Sequence, residues 1–80
     1  MTSETIKEHD TVVLTRDAPE AGLVAGDMVV VVHIYPRAEA YEVEIFAADG
    51  QTIDVVSLPA DAVRLASARE VPHVRPVAAE

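Results

Sequence analysis

Eighty residues bound one small domain, and its only aromatics, Tyr35, Tyr41 and Phe46, exclude a roomy aromatic-lined cofactor pocket as firmly as the length excludes a multidomain enzyme. Cysteine is absent, which excludes a disulfide framework, a thiol nucleophile and a cysteine-ligated metal. The formal net charge of −8 lies wholly within residues 1–66, so the fold repels phosphate backbones and attracts basic proteins; direct nucleic-acid binding is not expected.

Residues 1–9 read as a polar leader, without the apolar core of a signal peptide. The longest purely apolar run, residues 28–32, is far short of a membrane span, so the expected location is cytoplasmic, with no membrane partner. Val and Ala dominate the apolar set, and β-branched Val favours strands because it packs on a pleated surface. The first expected strand is Thr11–Leu14. A long loop over 15–27 follows, broken by Asp17, Pro19, Gly22 and Gly26. Residues 28–35 form a second strand whose continuous apolar run implies burial on both faces or a bend. Pro36 ends it. Ala40–Phe46 alternates cleanly, with Tyr41, Val43 and Ile45 on one face and Glu42 and Glu44 on the other. A fourth strand covers 52–58, a single 3₁₀ turn 59–62, and a short closing strand 63–66. Residues 67–80 show no apolar period and read as a flexible tail. Five short strands with a long first loop suit an all-β, SH3-like small barrel over residues 10–66.

The register of strands three and four follows from their turn. A loop of Ala48, Asp49 and Gly50 places Gly in the left-handed position of a bulge-type hairpin. It pairs Ile45 with Ile53 and Val43 with Val55, all inward. Glu44 then faces Asp54 on the outer face, with Glu42 two residues along. The same reading leaves Val29, Val31 and Tyr35 on one side of strand two, and Val56 outward on strand four, an apolar patch suited to a weak homodimer.

The ordered blocks Ile6-Lys7-Glu8-His9-Asp10, Val12-Val13-Leu14-Thr15, Gly22-Leu23, Gly26-Asp27 and Val32-His33-Ile34-Tyr35-Pro36 open a pattern. Ala40-Tyr41-Glu42-Val43-Glu44-Ile45-Phe46, Asp49-Gly50 and Leu58-Pro59 through Leu65 complete it. Over residues 6–66 this pattern resembles the bacterial family of domain of unknown function 4926. The resemblance implies a stand-alone SH3-like barrel without a known catalytic motif. Its association with toxin-like neighbours implies an antitoxin or immunity role. The opening also resembles a KOW-type stretch, whose RNA binding the acidic balance argues against.

Two constellations offer themselves to a partner. Glu42, Glu44 and Asp54 gather like charges on the outer face, which a basic surface would relieve; the plainer alternative is a solvated face. Glu20 and Asp27 of the long loop border the groove of such a barrel, with Tyr35 as a neighbour, and could meet a basic segment. The scarcity of aromatics argues against polyproline recognition. His9, His33 and His73 have no ligand spacing, and Ser57 lacks a nucleophile elbow, although a barrel allows it a contact with His33. No cofactor, metal or catalytic residue is expected. The leading reading is a non-catalytic module that binds a basic protein, as an antitoxin, immunity protein or accessory subunit. The alternative is a KOW-like module of nucleic-acid machinery, and a small enzyme ranks last.

Overall fold

Strands form where the β-branched residues concentrate, and polar or Gly/Pro-containing stretches break them. The computed structural model describes residues 5–72 and 74–76. It contains β1 (Thr11–Leu14), β2 (Met28–Ile34), β3 (Ala40–Phe46), β4 (Thr52–Pro59) and β5 (Val63–Leu65). All pairings are antiparallel, in the order β4-β3-β2-β1-β5, with β4 and β5 at the two ends. A 3₁₀ turn, Ala60–Ala62, leads into β5. The chain is therefore all-β, with the strand order and connections of an SH3-like small barrel. Among the described residues no helix is long and apolar enough to cross a membrane.

Inward residues come from both halves of this sheet. Val12, Val31 and Val43 are fully buried, and Leu14, Leu23, Val29, Tyr41, Ile45, Leu58 and Val63 join them in one cluster. Burying each such side chain contributes roughly 1.5–3 kcal/mol, so the Val-rich face supplies the cohesion that the missing aromatics do not. Ile6 packs on the same cluster. The segment after it is tied to β2, where His9 N–H donates to the Val31 carbonyl at 2.6 Å and Val31 N–H to the Asp10 carbonyl at 2.9 Å.

β2 pairs with β1 through Met28 to Val30 and with β3 from Val30 onward, shifting register between Val31 and His33. The change of partners explains its unbroken apolar run: one strand serves both halves of the sheet. It also corrects the apolar patch expected on strand two. Val29 and Val31 belong to the core, and Val56 packs against it from β4. The self-association surface that those residues were to build is not exposed. β2 ends in a tight reversal, in which Ala38 N–H donates to the Tyr35 carbonyl at 2.9 Å, Pro36 takes the second position and Arg37 has φ +62°. These are the requirements of a turn with a left-handed third residue.

The β3–β4 turn is the expected three-residue loop. Gly50 N–H donates to the Ala47 carbonyl and Ala47 N–H to the Gln51 carbonyl, with Gly50 at φ +89°. The register beyond it is not the expected one. Phe46 pairs with Thr52, but the ladder then shifts, so that Ile45 pairs with Asp54, Val43 with Val56 and Tyr41 with Leu58. Ile53 is the extra residue of a bulge. The physical reason is burial. The shifted register sets Val56 and Leu58 beside Val43 and Tyr41 on the core face, whereas the unshifted one would have turned both outward.

Candidate functional site

The loop between β1 and β2 is built to hold one carboxylate. Pro19–Ala21 makes a 3₁₀ turn closed by Gly22 in the left-handed conformation, and Ala18 bridges Leu23. Leu14 N–H donates to the Asp27 carbonyl at 2.9 Å and Gly26 N–H to the Leu14 carbonyl at 2.8 Å, so the loop's base continues the sheet. Asp17 accepts the Ala25 N–H, and Asp27 Oδ2 accepts the Val24 N–H at 2.9 Å. Asp27 is thereby buried and oriented, the one buried charged residue of the described chain.

Its carboxylate faces a guanidinium. Arg75 Nε donates to Asp27 Oδ1 at 2.9 Å and Nη2 to Oδ2 at 2.5 Å, while Nη2 also reaches the Gly22 carbonyl at 3.0 Å. The pair is two-pronged, the geometry in which Arg–carboxylate bonds are strongest. Hydrogen bonding to Asp27 raises the Arg75 pKa, so the cation is held charged. The Asp27 side chain is 10% exposed and that of Arg75 26%, so this ion pair is much less screened than the surface pairs.

Around this pair lies a groove of about 700 Å³, walled by the loop on one side and by the β3–β4 hairpin on the other. Ile45, Phe46 and Ile53 contribute its apolar surface, and Glu20, Asp27 and Asp54 its acids. The register shift is what brings Asp54 here. Paired with Ile45 and not with Glu44, it leaves the expected outer-face trio and joins the two acids of the loop.

The remaining sequence candidates lie elsewhere. Glu44 pairs with Val55 across the strands, and its Oε2 accepts the Thr52 hydroxyl. Glu42 stands in a row between His33 and Ser57. Tyr35 is at the far end of β2 from Asp27, so it is no neighbour of the loop acids; its ring meets His33 edge-on at 4.9 Å and its hydroxyl lies 3.1 Å from Ser57 Oγ. The serine is thus engaged with a phenol. His73 lies outside the described residues. Among those described, no cluster of three His, Cys, Asp or Glu side chains could hold a metal ion.

Arg75 is the site residue that sequence reasoning missed. It sits 48 positions from Asp27 in a stretch without periodicity, and the one available signal was electrostatic: a fold of net −8 attracts the few bases outside it. A second tail contact lies at β5, where Arg64 makes two hydrogen bonds to Glu70. Those bonds, with one from the Ser67 N–H, lower the Glu70 pKa to about 2.

A small all-β module with an acid-lined groove and a seated guanidinium defines the class. Residues 8–65 match the family described as domain of unknown function (DUF4926), and the chain belongs to that family. No curated protein and no solved structure matches it.

Proposed function

We propose that the protein is a non-catalytic interaction module that binds a basic segment of a protein partner in the groove between the first loop and the β3–β4 hairpin. The observation that carries this reading is the oriented Asp27 carboxylate at a groove also lined by Glu20 and Asp54, which already accepts a guanidinium. The net charge of −8 supports it further, because opposite fields raise the rate of encounter with a basic protein. An antitoxin, immunity protein or accessory subunit acting in the bacterial cytoplasm is the specific form proposed. A KOW-type role on RNA is disfavoured by the same charge.

Two double charge reversals test the reading against a partner captured with the 80-residue chain. Glu20→Lys with Asp54→Lys should slow association about tenfold or more at low salt, with the difference shrinking as salt rises. Glu42→Lys with Glu44→Lys should leave association within about twofold, because these half-buried strand residues do not line the groove. The reverse ranking would move the interface to the outer face, and a salt-dependent shift with RNA alone would replace the protein partner altogether.

A further inference from the structure

We infer that the groove is specific for arginine, and that Arg75 occupies it in cis as a stand-in for an arginine of the partner, which must displace it to bind. The inference rests on the proposed groove and deepens it by naming the side chain recognised and the contact that regulates it. Three acceptors converge on one guanidinium: Asp27 Oδ1, Asp27 Oδ2 and the Gly22 carbonyl. They are held independently of Arg75. The Val24 N–H fixes the carboxylate, and Gly22 is set by its left-handed conformation, closing the turn with its own N–H on the Pro19 carbonyl at 3.0 Å. A planar fork satisfies these acceptors together, with two donors on the carboxylate and one shared with the carbonyl. A lysine ammonium is a single point and meets them only in part.

The occupant is a short tethered segment, with Val74 and Arg75 at the groove and Val74 itself 86% exposed. Apart from Arg75, therefore, the described residues of the segment add little buried apolar surface. Such a tether acts as an internal competitor at an effective concentration in the millimolar range, enough to weaken an incoming arginine tenfold or more without abolishing its binding. A partner with one matching arginine and further basic residues for Glu20 and Asp54 would win the exchange.

The test follows backbone amide signals by NMR in wild type, Arg75→Ala and Arg75→Lys. The probe is a blocked hexapeptide copying residues 71–76, alongside the same peptide with lysine in place of its arginine. The arginine peptide should shift the Gly22, Leu23, Val24 and Asp27 signals of Arg75→Ala. It should bind wild type at least about tenfold more weakly. The lysine peptide should bind Arg75→Ala at least about tenfold more weakly than the arginine peptide. Arg75→Lys should accept the arginine peptide more readily than wild type does. Equal binding to wild type and Arg75→Ala would overturn the cis occupancy and leave the proposed groove standing. Equal binding of the two peptides would overturn the arginine specificity. No binding to a folded Arg75→Ala would overturn the inference as a whole, while the proposed function would still be decided separately by the charge reversals on the captured partner.

Discussion

Two acidic regions of one small molecule carry similar charge and differ in almost everything else. On the outer face, Glu42 and Glu44 stand on a regular strand and their neighbours are strand side chains. In the groove, Glu20, Asp27 and Asp54 converge from a loop and a bulged strand on a concave surface, and a cation sits there. Charge alone attracts; burial and fixed acceptors make attraction selective. A carboxylate that is already oriented by a backbone N–H loses little freedom when it receives a guanidinium.

Substitutions can break that contrast. The largest effect is expected at Asp27, where Asp27→Ala removes an acceptor for Val24 and Arg75 and leaves a partly buried guanidinium without its carboxylate. A loss of about 2–3 kcal/mol in urea unfolding is expected, with the loss of native signals in the first loop. A loss below about 0.5 kcal/mol would place Asp27 on the same footing as the outer acids. Glu44→Gln is the counterpart: it keeps an acceptor for the Thr52 hydroxyl, and stability should stay within about 0.5 kcal/mol.

The smallest expected effect concerns an exposed pair and is read as a titration. Glu70 has its folded pKa lowered to about 2 from an ordinary value of 4.5, chiefly by its hydrogen bonds to Arg64. The native state therefore favours the carboxylate. Its contribution is fully present above 4.5 and is lost as pH falls toward 2. Carboxyl-carbon NMR should find a midpoint near 2, and Arg64→Ala should move it upward. An unchanged midpoint in that variant would show that Arg64 is not the cause.

Much of the fold is legible because local chemistry and tertiary pairing agree. Alternation places β3 at Ala40–Phe46, and Gly50 supplies the left-handed residue that the hairpin turn needs. The register beyond the turn was not legible by strict alternation, because β4 changes phase: Ile53 and Val55 follow one pattern, Val56 and Leu58 the other. That change of phase was itself the available sign of a bulge. Of the site, the loop acids Glu20 and Asp27 could be read from the Gly/Pro-rich loop that carries them. The third acid depends on the bulge. The cation depends on a contact across 48 positions, which no local period encodes.

The bulged strand has one more consequence, for the chain's behaviour among copies of itself. β4 stands at an end of the sheet, with Ile53 and Val55 each 43% exposed, and residues 52–58 combine high β-propensity with a single charge. Such a strand invites templated polymerisation. The one charge is Asp54, and its Oδ1 accepts the N–H of Val55 at 2.8 Å, while Pro59 closes the strand with no N–H to offer. Asp54 is therefore a gatekeeper as well as a groove acid. Replacing it by an apolar residue would remove the segment's charge and uncover a donor in the same step, so the composition of the groove and the resistance of the protein to fibre formation are set by one side chain.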